Sequence, residues 1–121
     1  MSSLNLSQMP GPDLVREFEE ISLQMSYAEL MGDLRRTRKL YKLQVLVVNE
    51  LKARGRRDLL LPLLKHENRW IRLQTAQRTL AVAPQEARRV LEELRASKLQ
   101  PAAGYAGMTL FALDKGWSVP D

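Results

Sequence analysis

The chain has 121 residues, 45% of them hydrophobic, and a formal net charge of +5. That length suits one globular domain with an ordinary core, and the hydrophobic fraction excludes disorder of the whole chain. With no cysteine and a single histidine, disulfide scaffolds, thiolate nucleophiles and Cys/His metal sites are excluded, and the sequence implies no cofactor.

No apolar run approaches the ~20 residues of a membrane span. The longest, Val45–Val48 and Leu59–Leu64, are short and flanked by charge. The opening MSSLNLSQMPGP has neither the basic start nor the apolar stretch of a signal peptide. A cytoplasmic protein with no membrane partner is expected. Residues 1–11, rich in Ser, Asn, Pro and Gly, predict a flexible arm, and 12–121 a single helical-repeat domain.

A first helix is predicted from Pro12-Asp13 to Gly32. Leu14, Phe18, Ile21, Met25 and Ala28 recur at spacings of 4, 3, 4 and 3, one face of a helix. A second, about 33–54, carries Leu40, Tyr41, Leu43, Val45, Leu46, Val47, Val48 and Leu51. These exceed one stripe, so it reads as the central, most buried helix, with Gly55 as its cap. A short third, about 57–65, contains Pro62, which must sit in a first turn or kink it. Asn68 caps a fourth, about 69–82, whose inward set is Ile71 or Trp70 with Leu73, Ala76 and Leu80. Pro84 opens a fifth, ending near Ser97, with Ala87, Val90, Leu91 and Leu94 inward. Pro101 opens a sixth, with Ala103, Ala106, Leu110 and Leu113 on one face and Trp117 extending it. Strand alternation is absent. The predicted class is all-α: a right-handed stack of about six short helices in antiparallel pairs 1–2, 3–4 and 5–6, a HEAT/armadillo-like superhelix.

LLPLLKHEN at 60–68, IRLQTA at 71–76, TLAVAPQEARR at 79–89 and AGMTLFALDKG at 106–116 resemble the bacterial family named domain of unknown function 2019. The resemblance spans about Leu14–Gly116. It implies a HEAT-type repeat, in which an Asn-led turn is followed by an Ile-Arg pair and small residues: here Asn68, Ile71-Arg72, then Ala76 and Leu80. The chain departs from the family at Tyr105, where the resemblance implies an acid, and at Glu67 and Arg69, where it implies prolines. No activity follows from the family.

Charge is unevenly placed. Residues 1–34 are net −5, 35–57 net +8 and 58–121 net +2. Arg35, Arg36, Lys39 and Lys42 are candidate anion-binding residues, with Arg35, Lys39 and Lys42 along one side of a helix and Arg38 an i,i+4 neighbour of Lys42. The competing reading has Glu17, Glu19, Glu20 and Glu29 of the first helix neutralising them. Arg69, Trp70 and Tyr105 form a candidate partner-binding surface, since Trp beside Arg is frequent at interface hot spots. Arg72 is expected to bond within its own turn, and His66 to cap the end of the third helix. Gly104 and Gly107 read as a close helix approach; the sequence around them lacks the Lys-Ser/Thr of a phosphate loop. Glu19-Glu20 and Glu92-Glu93 are adjacent on a helix, hence about 100° apart, and make no shared-proton dyad.

No catalytic or metal-ligating set emerges. The expected function is a bacterial, non-enzymatic protein-interaction module of adaptor or immunity type. The alternative is nucleic-acid binding through the basic block at 35–57. A monomer or weak homodimer is expected, Phe111, Leu113 and Trp117 supplying apolar surface to spare.

Overall fold

The computed structural model describes residues 5–121. Among them are five α-helices, two 3-10 segments and no strand. The helices are α1 (Gly11–Met31), α2 (Leu34–Ala53), α3 (Arg69–Thr79), α4 (Pro84–Ser97) and α5 (Ala102–Asp114); the 3-10 segments are Leu6–Gln8 and Arg57–Lys65. The protein is all-α. The stretch read from the sequence as one domain groups into two compact units, one reaching to Leu59 and one running Leu60–Asp121.

In the first unit α1 packs along α2. The predicted stripe Leu14, Phe18, Ile21, Met25 and Ala28 is the buried face of α1, joined by Ser22. Gly32 ends the helix at φ +68°, where its N–H bonds the carbonyls of Ala28 and Glu29. Only glycine holds that conformation without strain. Asp33 then caps α2 by accepting from the Arg36 N–H. The inner face of α2 is Leu40, Gln44, Val47, Val48 and Leu51. The buried Gln44 amide donates to Ser22 Oγ at 3.2 Å and to Met25 Sδ at 3.4 Å.

The prediction that this helix is the most buried is not met: Tyr41 and Leu46 are exposed. Within its unit α2 has α1 as its one long neighbour, so only one stripe can be covered. Of the predicted arm, residues 1–4 lie outside the described residues. Leu6–Gln8 form a 3-10 turn, and the Leu6 carbonyl accepts from Arg54 Nη2 at 2.9 Å.

In the second unit α3 is the buried helix, with Trp70, Ile71, Leu73, Gln74, Thr75, Ala76 and Thr79 inside. Its principal neighbour is α4 rather than the preceding segment, and α4 packs in turn on α5. The pairs 1–2 and 5–6 of the sequence reading are therefore packed pairs, whereas 3–4 is replaced by a three-helix cluster. The third predicted helix is the 3-10 segment Arg57–Lys65, with Pro62 inside it and Leu60, Leu63 and Leu64 buried. Pro62 has no N–H to donate, which disfavours regular α-helix there.

α3 stops at Thr79, short of the predicted Val82. The Thr75 and Thr79 hydroxyls donate to the Ile71 and Thr75 carbonyls at 2.7 and 2.8 Å, and Ala83 precedes a proline that disfavours helix before it. Ala87, Leu91 and Leu94 of α4 face Ala102, Ala103, Ala106 and Leu110 of α5 in a shared core. A Cβ on Gly107 would lie 3.7 Å from Arg95 Cδ, an ordinary contact that marks the close α4–α5 approach. Trp117 does not extend the inward stripe. Gly116 at φ +74° turns the chain, and Trp117 lies outside, 73% exposed, edge-to-face on Phe111 at 5.3 Å.

Asn68 Oδ1 accepts from the N–H groups of Trp70 and Ile71 at 2.8 and 3.1 Å. Asn68→Ala is expected to cost about 1–2 kcal/mol, read as a lower urea midpoint with an unchanged m-value. Asn68→Asp, which keeps the acceptor, should retain most of that stability.

Candidate functional site

The turn before α3 is held by its own side chains. Arg72 folds back, Nη1 donating to the carbonyls of His66 at 2.6 Å and Glu67 at 3.1 Å. His66 Nδ1 accepts from the Asn68 N–H at 2.9 Å, so the imidazole holds the turn that starts α3. Trp70 is only 8% exposed and its indole N–H has no acceptor among the described residues. Its ring meets Tyr105 edge-on, centroids 5.4 Å apart. The predicted partner-binding trio therefore divides. Arg69 and Tyr105 reach the surface, while Trp70, at the start of a helix whose inward face it completes, is core and offers no contact area.

The basic block also divides. Toward its end the arginines are structural. Arg54 Nε pairs with Glu50 at 2.9 Å, and Arg56 pairs with Asp58 at 2.9 and 3.2 Å. The hydrogen bond from Arg56 holds the Asp58 carboxyl below the usual carboxylate range. At the start of α2 the cations are different. Arg35, Arg36, Arg38, Lys39 and Lys42 are all exposed. Arg36 donates to Gln24 Oε1 at 2.9 Å. Among the described residues no carboxylate pairs with Arg35, Arg38, Lys39 or Lys42. Glu20 of α1 instead accepts from Gln24 on its own helix.

At 100° per residue these four cations fall within about 100° of arc, opposite Leu40, Gln44, Val47 and Leu51. Arg35 with Lys39, and Arg38 with Lys42, are like-charged i,i+4 neighbours, a destabilising arrangement. They also stand on the first turns of α2, where the peptide dipoles already present positive charge.

The turn between α1 and α2 adds apolar surface to this charge. Leu30 and Met31 are each 80% exposed, and Tyr27 and Leu34 are exposed beside them in the chain. Tyr27, Leu30 and Met31 are i, i+3 and i+4 on α1 and share its outer face. Sequence reasoning passed over these four because it sought the inward stripe; the signal was apolar residues that stripe does not use. Among the described residues no group of three His, Cys, Asp or Glu could hold a metal ion, and no helix is long and apolar enough to cross a membrane.

A family model described as Domain of unknown function (DUF2019) matches residues 12–114. The chain belongs to this family. Both the α2 cations and the α3 turn of this DUF2019 domain lie within the matched range. The crystal structure of the protein RPA1889 from Rhodopseudomonas palustris CGA009 is similar at 40% identity, covering 98% of this chain and 100% of that one, with a TM-score of 0.93. No curated protein matches the chain.

Arg35→Glu replaces a repulsion with a Glu-to-Lys i,i+4 pair and places an acid in the first turn of α2. It is expected to raise stability by about 0.5–1 kcal/mol in low salt. The gain should fade near 1 M salt, where the screening length is about 3 Å. Thermal unfolding at the two ionic strengths measures this. A loss of stability would show that Arg35 has a structural partner.

Proposed function

We propose that this DUF2019 protein is a bacterial, cytoplasmic binding module with no chemistry of its own, of adaptor or immunity type, that docks an acidic protein against the α1–α2 end of its first unit. The observation that carries this reading is a junction. Four cations without carboxylate partners begin where an exposed apolar cluster of Tyr27, Leu30, Met31 and Leu34 ends. Interface centres are enriched in Tyr, Met and Arg, with charge steering the encounter. The HEAT-type reading is supported locally by the Asn68 cap and by Arg72 folded onto its turn, with Ile71 buried. We infer repeat-type packing from those features.

The exposure of the four cations also favours a second reading, contact with a phosphate backbone. Phosphates gain little from exposed Leu and Met, so the two readings predict different roles for the apolar cluster. Affinity capture from the native host is expected to retain one stoichiometric acidic protein. Retention should fall at least ~10-fold on Leu30→Ala with Met31→Ala, and equally on Arg35→Glu with Lys39→Glu, the scale of a lost hot spot. Fluorescence titration with oligonucleotides across salt is the companion measurement. Binding that ignores the apolar pair, with a log-log salt slope near one per lost phosphate contact, would replace the protein reading with the nucleic-acid one.

A further inference from the structure

Between Lys98 and Asp114 the sequence holds no charged residue, and α5 occupies most of that stretch. Only one side of the helix is buried, the side of Ala102, Ala103, Ala106 and Leu110. The opposite side carries Tyr105, Met108 and Phe111, and Trp117 and Val119 follow; all are exposed, Met108 to 68%. A helix that is apolar all round is normally covered all round. Trp117 stacks edge-on against Phe111, and with Tyr105 and Met108 these side chains leave on the order of 500 Å² of mostly apolar surface open. That lies in the upper part of the range for the largest patch on a monomer, about 300–600 Å². It is also roughly three-fifths of the ~800 Å² that each partner contributes to a stable interface, the rest being rim.

We propose that this face is the interface of a homodimer, α5 lying antiparallel on α5 of a second copy about a two-fold axis. Charge argues for this occupant. The helix face itself carries no charge for an acidic or basic partner to pair with, Lys115 standing at its end, whereas a second copy brings an equally neutral helix face. At its edge Asp114 accepts from Arg88 Nη2 at 2.8 Å, and Lys115 Nζ stands 5.5 Å from the centroid of the Phe111 ring, where its ammonium faces water at the rim. Docking must leave the Lys115 ammonium at the hydrated rim, because an interface tolerates a buried unpaired ion poorly.

Shape agrees. Gly104, Met108 and Ala112 follow one line at i, i+4 and i+8, so a large flexible side chain lies between two small ones. Gly104 is covered by the Gln100 side chain, whose Oε1 accepts from the Gly104 N–H at 2.9 Å, so the gap lies at Ala112. Antiparallel copies can nest each Met108 beside the other's Ala112, the self-complementarity a two-fold contact requires. Beside that line an open groove of about 350 Å³, walled by Leu80, Met108 and Ala112 with Gln77 hydrogen-bonded to Thr109, can take a projecting ring. None of these residues belongs to the α1–α2 surface, so the dimer and the acidic-partner reading stand or fall separately.

Sedimentation equilibrium across roughly 1–200 µM, where mass action reveals self-association, is expected to give a species of twice 13.9 kDa. Met108→Asp and Phe111→Glu, each at an exposed position, should weaken the dimer at least ~100-fold with unchanged helical circular dichroism. Arg35→Glu should leave it intact. Because the chain has no cysteine, Met108→Cys supplies a readout that spares the fold: under mild oxidant it should form a disulfide-linked dimer, and Arg38→Cys should not. A monomer at every concentration, a dimer indifferent to both acidic substitutions, cross-linking no faster at 108 than at 38, or a different protein protecting this face would each overturn the proposal.

Discussion

A buried amide, set within the apolar stripe of Leu40, Val47, Val48 and Leu51, holds the direction in which α2 faces. Gln44, fully buried at the centre of the α1–α2 contact, donates to Ser22 Oγ and Met25 Sδ. A buried amide without partners costs about 1–3 kcal/mol, so the pair opposes any rotation of α2 about its axis. Turning the helix by one residue would expose Leu40 and Val47 and bring a charged side chain inward, adding desolvation of an ion to the loss. The rotation fixes the outer arc as well. Arg35, Arg38, Lys39 and Lys42 are sent into solvent because the residues opposite them must meet α1. Four like charges on one arc at the positive end of a helix contribute no stability, and that disagreement with local energetics supports a role in recognition.

The helix order and the face of α1 were legible because a spacing of 4, 3, 4, 3 admits one reading. The Asn68 cap and the Arg72 turn were legible for the same reason: each is a local hydrogen bond whose donor and acceptor lie within six residues. The burial of α2 was not. Its apolar residues cover more than one stripe, and the number of neighbours that will cover them is a tertiary fact. In its unit α2 has one long neighbour, so Tyr41 and Leu46 stay in water. Trp70 and Trp117 show the same limit in opposite directions. Trp70 stands two residues after the cap and turns inward to meet Tyr105; Trp117 follows a left-handed glycine and turns outward onto Phe111. Of the candidate sites, the basic residues were visible by type, but their separation into paired Arg54 and Arg56 and unpaired Arg35, Arg38, Lys39 and Lys42 depends on contacts that composition does not encode.

The two proposed surfaces differ in physical kind. The first unit offers charge next to exposed leucine and methionine, suited to steering and then anchoring an acidic protein. The second offers a helix face without charge, with Asp114 at its edge paired to Arg88, suited to meeting an identical face. The stretch between Lys98 and Asp114 holds no charged residue, so the α5 helices of two copies can meet without apposing like charges of their own. A dimer would carry two copies of the basic end, and a partner able to reach both would gain effective concentration without any new contact.

The central claim is that the outward charge of α2 is reserved for a partner rather than consumed by the fold. Amine acylation of Lys39 and Lys42, read by mass spectrometry in the purified protein and again inside the native host, tests it most directly. The account predicts that both amines react as fast as a solvated lysine in the purified protein and become protected in the host. Protection already present in the purified protein, or equal reactivity in both settings, would contradict it.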